Sequence, residues 1–339
     1  MKRSLSLLLA LGLAFGACSK SDNNAPASSS AGAAPAAGKK ITIAMLPKSK
    51  GNAYFISCSD GAKKAADELG VDLLFDGPTQ TDPGMQNQIV EGWIAKGVDA
   101  IAVAAENKDA LSTALRKAQA QGIKVISYDA DVLPDARTFF VNQATPEGIA
   151  NALTDEAAKL MNNEGEFAII TASLTAANQN EWIKYIKQRL AKYPNLKLVA
   201  DPLPSNDKQD EAQQQATTIM SAHPDLKLIM AICTPGVPGA AEAVKQAGKV
   251  GKVHVIGLGL PNENKDYVHQ GVTDAVILWD TGKLGYLTIE AADALVKGTL
   301  KPGDKEFKVG DTVYKIDGDN ILLGEPTVFD KSNIDKYNF

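Results

Sequence analysis

From Ile41 onward the chain alternates between short, nearly continuous apolar runs and longer stretches in which apolar residues recur every three or four positions. The runs are "ITIAML", "VDLLFD", "DAIAVAA" and "KVISYD", followed later by "FAIITAS", "LKLIMAIC", "VHVIGLG" and "DAVILWD". They are rich in branched residues and apolar at consecutive positions. Each therefore predicts a strand buried on both faces, as in a parallel sheet. The stretches between them predict helices. In "GMQNQIVEGWIAKG" the residues Met85, Ile89, Val90, Trp93 and Ile94 share one face, Pro83 stands near the start and Gly97 can cap the end. In "NKDALSTALRKAQAQG" Asn107 can cap the start, Gly122 can stop the helix, and Ala110, Leu111, Ala114, Leu115 and Ala118 form the stripe. Trp93 is assigned to the core by this pattern, and so is Trp182, in a later stripe with Ile186 and Leu190.

Strand–helix alternation over about 300 residues predicts a doubly wound α/β protein. That length exceeds what one core usually supports, so two lobes are expected. In open α/β sheets, ligands sit beyond the carboxyl ends of the strands. The residues that follow each run are therefore the candidates. After the first run come Lys48, Asn52, Tyr54 and Phe55, and after "KVISY" come Asp129 and Asp131. "FAIITAS" is followed by Thr175, Asn178 and Gln179, "LKLIMAI" by Cys233 and Thr234, and "DAVILW" by Asp280.

The set is polar and mostly uncharged, with a few carboxylates, one lysine and two rings. It suits a small sugar. A hydroxyl both donates and accepts, so Asp can take donors while Asn and Gln serve both roles. Tyr54 and Phe55 can cover a face of C–H groups. Each residue also has a plainer reading. Lys48 can be solvated, the two rings can be packing, Asp129 can cap a turn, and Asn178 and Gln179 can cap a helix.

Composition narrows the function. Hydrophobic residues are 45% and charged residues 22%, which suits a large core. Net charge is −5, and removal of residues 1–17, with Lys2, Arg3 and no carboxylate, takes it to −7. An acidic chain argues against nucleic acid as a partner. Three histidines without ligand-like spacing argue against a metal site. Cys58 and Cys233 lie far apart and are expected as buried free thiols. "PKSKGNAYF" has its lysines before its glycine, "GLGLPNEN" lacks the last glycine of a dinucleotide fingerprint, and no Gly-x-Ser-x-Gly elbow occurs. No cofactor and no catalysis are expected.

The N-terminus predicts export. Lys2 and Arg3, the run "LLLALGLAFGA" and the small residues before Cys18 describe a signal peptide over 1–17. Cys18 resembles the lipidated cysteine of a bacterial lipobox, with Phe15 where an aliphatic residue is usual. Residues 18–39, rich in Ala, Ser, Pro and Gly, read as a flexible tether. Acyl chains on Cys18 would hold the protein at the periplasmic or extracellular face of the envelope, the only membrane attachment expected.

The blocks "IAMLPKSKGNAYF", "GVDLLFDGPTQTD", "VISYDADVLPDARTFFVNQATPE" and "NQNEWIK", with the tail "FDKSNIDKYNF", resemble the autoinducer-2 binding proteins of bacterial ABC importers. Those are relatives of the rhamnose- and ribose-binding proteins. The resemblance covers about residue 40 to 339. It implies the type I periplasmic binding protein fold, two Rossmann-like lobes joined by a three-stranded hinge. By that analogy the N-terminal lobe takes 40–141 plus 279–305 and the C-terminal lobe takes 142–278 plus 306–339. It also implies a monomeric, non-enzymatic protein that captures a small ligand and delivers it to an ABC permease.

Carried over by motif, Lys48, Asp129 and Gln179 match ligand contacts of the autoinducer-2 receptors. Asn178 replaces an acid there, and "ICT" at 232–234 replaces Pro-Asp-Ala. Asn52, Tyr54 and Phe55 line up with the Asn and paired rings of ribose binders, and Asp280 with a cleft polar group of sugar-binding relatives. Exchange of an acid for Asn178 turns an acceptor into a donor, so the ligand's hydroxyl pattern must change with it. A neutral pentose or deoxyhexose is expected, with autoinducer-2 as the alternative.

Overall fold

In the computed structural model, which describes residues 40–339, the first apolar run becomes strand β1 (Thr42–Leu46), followed by helix α1 (Ala53–Leu69). The alternation continues through β2 (Asp72–Phe75), α2 (Pro83–Lys96), β3 (Ala100–Val103), α3 (Lys108–Ala120), β4 (Lys124–Tyr128) and β5 (Phe139–Asn142). A second series comprises α4 (Pro146–Leu160), β6 (Glu164–Thr171), α5 (Ala177–Arg189), β7 (Asn195–Leu198), β8 (Leu203–Pro204) and α6 (Gln209–Ala222). It goes on through β9 (Leu226–Ala231), α7 (Gly236–Gln246), β10 (His254–Gly257), α8 (Pro261–His269) and β11 (Ala275–Leu278). The chain closes with α9 (Thr281–Lys297), β12 (Glu306–Val309), β13 (Thr312–Asp317), β14 (Asn320–Leu322) and β15 (Thr327–Phe329). The signal, Cys18 and tether readings lie outside the described residues.

All eight apolar runs form strands, and their burial explains why. Alternate residues of β1 face two different helix layers. Ile43 and Met45 join Phe55 and Cys58 of α1 and Leu284 and Leu287 of α9 in one core. Ala44 and Leu46 join Val90 and Trp93 of α2 and Leu111 and Leu115 of α3 in another. A strand covered on both faces has no polar side, which is why these runs lack alternation. The helix ends behave as their residues predict. Asn107 Oδ1 accepts from the N–H groups of Asp109 and Ala110, and Gly97 takes φ +68° at the end of α2. Met85 and Ala110, placed on the buried stripes by sequence, are exposed, because each stripe is narrower at its first turn than the pattern suggested.

Helices α1 and α9 approach unusually closely. A Cβ on Gly61 would lie 1.8 Å from the carbonyl oxygen of Gly282, and one on Gly285 1.8 Å from that of Cys58. Those glycines are the reason that two 17-residue helices can pack backbone against backbone.

The strands form two sheets, in the orders β12-β13-β14-β5-β4-β3-β1-β2 and β15-β11-β10-β9-β6-β7, with β8 beside β6. The chain passes from one to the other three times: between β5 and α4, between β11 and α9, and between β14 and β15. Helix α9 packs on α1, β3 and β4 of the first sheet. The expected grouping of residues 306–339 with the second lobe is divided by strand pairing. Residues 306–322 form an antiparallel meander whose last strand runs parallel to β5, with Ile316 and Ile321 buried, so that this meander covers the β5 edge of the first sheet. Only β15 pairs with the second sheet, antiparallel to β11.

Candidate functional site

The carboxyl ends of the parallel strands of both sheets face one cleft. The first sheet supplies Lys48 after β1, Asn52, Tyr54 and Phe55 at the start of α1, Glu106 after β3 and Asp129 after β4. The second supplies Asn178, Gln179 and Trp182 of α5, Asp207 after β8, Cys233 and Thr234 after β9, and Trp279 after β11. Thr81, Ala172, Ile232, Leu258 and Leu278 complete the wall.

Local geometry holds each side chain in place. Asn52 caps α1, its Oδ1 accepting from the N–H of Tyr54 at 2.9 Å, which fixes the first turn that carries both rings. Tyr54 donates its hydroxyl to Asp129 Oδ1 at 2.9 Å and accepts from Trp279 Nε1 at 2.8 Å. The Tyr54 ring stands edge-on to Phe55 and to Trp279, and Trp182 to Trp279. Four aromatic rings thus form one interlocked floor.

Asp129 sits at φ +60°, and the N–H of Ala130 donates to the carbonyl of Tyr128 at 2.6 Å. A hydrogen bond across two residues around a positive φ marks a γ-turn of the rarer, strained kind. It aims the carboxylate into the cleft instead of along the strand. Burial pushes the Asp129 carboxyl up, against the opposing pull of Lys48 and the Tyr54 hydroxyl. Asp207, also at positive φ, is likewise pushed up by burial and held back by Asn52 and Lys48.

Besides the Trp279–Tyr54 bond, further hydrogen bonds cross directly between the sides. Lys48 Nζ donates to Asn178 Oδ1 at 2.9 Å and lies 4.0 Å from Asp129 Oδ2. Asn52 Nδ2 donates to Asp207 Oδ2 at 2.6 Å. Gln179 braces its own loop, accepting on Oε1 from the Ala172 N–H at 2.8 Å and the Thr171 hydroxyl at 2.5 Å. Its amide nitrogen is the part left for a ligand. Burial pushes the Cys233 thiol up to about 12, which keeps it a neutral wall group. Cys58 is buried as well, and both are free thiols.

Nine of the twelve candidate residues meet here: Lys48, Asn52, Tyr54, Phe55, Asp129, Asn178, Gln179, Cys233 and Thr234. Asp131 and Asp280 lie off this wall. Asp131 pairs twice with Arg137, at 2.9 and 2.7 Å, and also accepts from the Ser127 hydroxyl and the Val132 N–H. Its lone pairs are committed to holding a buried guanidinium. Asp280 caps α9, accepting from the Lys283 N–H at 2.9 Å. Thr175 is exposed.

Sequence reasoning missed Glu106, Asp207, Trp279 and the cleft-lining role of Trp182. Glu106 and Trp279 directly follow or end apolar runs, so the strand-end rule itself contained the signal. Asp207 follows a two-residue strand too short to read. Among the described residues no cluster of His, Cys, Asp or Glu could hold a metal ion.

The sequence profile of the periplasmic binding protein domain matches residues 43–300. The D-ribose/D-allose-binding protein of Pseudomonas aeruginosa is 28% identical over 79% of this chain and 86% of its own length. Among solved structures, an ABC transporter solute-binding protein from Clostridium phytofermentas with bound L-rhamnose is 35% identical, with a TM-score of 0.84 over 88% of this chain and 98% of its own. LsrB from Clostridium saccharobutylicum in complex with AI-2 is 27% identical, with a TM-score of 0.83 over 88% of this chain and all of its own, 100%. The profile match and the solved structure at 35% identity show the family: the chain belongs to the periplasmic binding protein domain family.

Proposed function

We propose that the protein is the solute-binding component of an ABC importer and that it captures a small neutral sugar in the cleft. The observation that carries this reading is the wall chemistry: carboxylates, amides and one lysine over a floor of Tyr54, Phe55, Trp182 and Trp279. Such a wall offers acceptors and donors to hydroxyls and ring faces to C–H groups. The relatives named for ribose, allose and rhamnose are consistent with it. Three carboxylates against a single lysine on the wall disfavour an acidic ligand.

The two-sheet topology is consistent with a binding cycle of lobe closure. One lobe comprises 40–142 with 281–322, the other 146–278 with 327–339. A ligand that contacts both favours the closed arrangement, and that arrangement docks on a permease. In this reading binding involves no chemistry on the sugar. Cys18 carries the lipid anchor at the periplasmic or extracellular face.

A thermal-shift screen of the full chain against L-rhamnose, D-ribose, D-allose, D-arabinose and autoinducer-2 tests the reading. A ligand at a hundred times its dissociation constant stabilises by about 2.7 kcal/mol. A shift with at least one neutral sugar supports it, and a shift with autoinducer-2 alone would replace it with the receptor alternative.

A further inference from the structure

Glu106 is an ionisable group on the cleft wall to which the site geometry has so far given no work. The residue is 3% exposed, and its Oε2 is buried without a hydrogen-bond partner among the described residues. Its position is held firmly. The Glu106 N–H donates to Gln86 Oε1 at 3.1 Å, while Gln86 Nε2 donates to the carbonyls of Pro47 at 3.0 Å and Ala104 at 2.8 Å. Gln86 is itself fully buried. One amide side chain from α2 therefore ties together the ends of β1 and β3, the two loops that present Lys48 and Glu106 to the cleft.

The structural duty nearest to hand is already taken. The first free N–H groups of α3 are capped by Asn107 Oδ1, at 3.1 and 3.0 Å, so Glu106 is not the cap. Three donors on the wall are committed elsewhere: the Tyr54 hydroxyl to Asp129, the Trp279 N–H to Tyr54, and one N–H of the Lys48 ammonium to Asn178. A buried carboxylate oxygen left without a donor is costly, and a group at the edge of a binding cleft obtains one from what binds there. Glu106, Asp129 and Asp207 line the same cleft, and the Glu106 charge contributes to raising the other two carboxyls.

We propose that Glu106 is the specificity residue of the cleft, accepting at Oε2 a hydrogen bond from one particular hydroxyl of the bound sugar. This rests on the sugar-binding reading above. A sugar with that hydroxyl removed or epimerised leaves the carboxylate unpaired, and a site built to pair a hydroxyl rejects such an analogue strongly. Glu106 thereby determines which deoxy forms and epimers the cleft accepts, while the ring floor is indifferent to them.

The test is calorimetric titration of the full chain, wild type and Glu106→Gln, with L-rhamnose, D-ribose, D-allose and D-arabinose. The sugar that binds best is then replaced by its deoxyfluoro derivatives, one ring position at a time, since a C–F group cannot donate. The expected result is that Glu106→Gln weakens the parent sugar by about tenfold or more. At one fluorinated position only, wild type and Glu106→Gln should agree within about twofold, the sign that both changes remove the same contact. Equal affinity of wild type and Glu106→Gln for the parent overturns the proposal, and so does a Glu106→Gln penalty that is the same at every position. Melting curves check folding. If Glu106→Gln does not fold, Glu106→Asp, which keeps the charge but withdraws it by one methylene, must show the same single-position pattern, and a uniform loss overturns the proposal. If wild type binds none of the sugars, the sugar reading and this proposal fall together. That outcome is distinct from an insensitive Glu106→Gln, which leaves the sugar reading standing.

Discussion

Lys48 and Asn178 join the two sides of the cleft without an intermediary: the ammonium of one, after β1, donates at 2.9 Å to the amide oxygen of the other, in the first turn of α5. The same oxygen accepts from the Gln179 N–H. The amide nitrogen of Asn178 has only a long contact, 3.5 Å, to the carbonyl of Asp129. That nitrogen is therefore the part of Asn178 free to donate to a ligand.

Asn178→Asp keeps the bond to Lys48 but turns this donor into an acceptor and adds a fourth carboxylate to the wall. Affinity for the sugar that wild type binds should fall by about tenfold or more, roughly 1.4 kcal/mol, with the fold intact. Calorimetric titration reads the effect, and an unchanged dissociation constant removes Asn178 from the donor set.

Asp129→Asn separates charge from shape. Asn tolerates positive φ, so the γ-turn survives, whereas Asp129→Ala adds backbone strain of about 1–2 kcal/mol. Both variants should lose about a hundredfold in sugar affinity, or more, because a buried charge-assisted acceptor is gone. Only Asp129→Ala should also lower the urea midpoint. Sugar binding by Asp129→Asn at wild-type strength would falsify the assignment.

Burial raises the Asp207 carboxyl above its ordinary value of 3.8. An acid with a raised folded pKa binds its proton in the folded state before the unfolded state does. Its contribution to stability therefore improves as pH falls through the folded value and is unfavourable above it. Asp207→Asn, whose amide suits the positive φ at 207, should be more stable than wild type at pH 7. The difference should shrink as pH falls and vanish below 3.8. Paired denaturant melts from pH 7 downward measure it; a difference independent of pH would show that charge is not the cause.

Gly285→Ala places a methyl 1.8 Å from the Cys58 carbonyl oxygen, so α1 and α9 must part. The expected destabilisation is about 3 kcal/mol by denaturant melt. Gly92→Ala, at an exposed position of α2 with open space around it, is the control and should gain up to about 1 kcal/mol. Equal effects of the two would mean that the helix approach is not tight.

Much of the fold was legible because doubly wound sheets write themselves into local sequence. A strand buried on both faces must be apolar at consecutive positions, as in "ITIAML" and "DAVILWD". Asn107 and Gly97 mark helix ends through interactions within one turn of the chain. The meander beyond β5 escaped this reading. β12 to β14 pair into the first sheet because Ile316 and Ile321 find buried positions beyond β5, a long-range choice that no local pattern encodes.

The candidate site divides along the same line. Strand-end position, a local property, brought Lys48, Asn52, Tyr54, Phe55, Asp129, Asn178, Gln179, Cys233 and Thr234 forward from the sequence, and the strand–helix pattern by itself determined the fold class and at which strand ends the cleft opens. It could not tell Asp129 from Asp131, two residues apart on one loop. The tertiary structure decided that, because Arg137 reaches Asp131 and consumes its acceptors, while a γ-turn directs Asp129 to Tyr54 and the cleft. Nor could it pair Asn52 with Asp207, or Tyr54 with Trp279, across separations of 155 and 225 residues. Hydrogen-bond partners at such distances are set by how the two lobes pack, and only the folded chain brings them together.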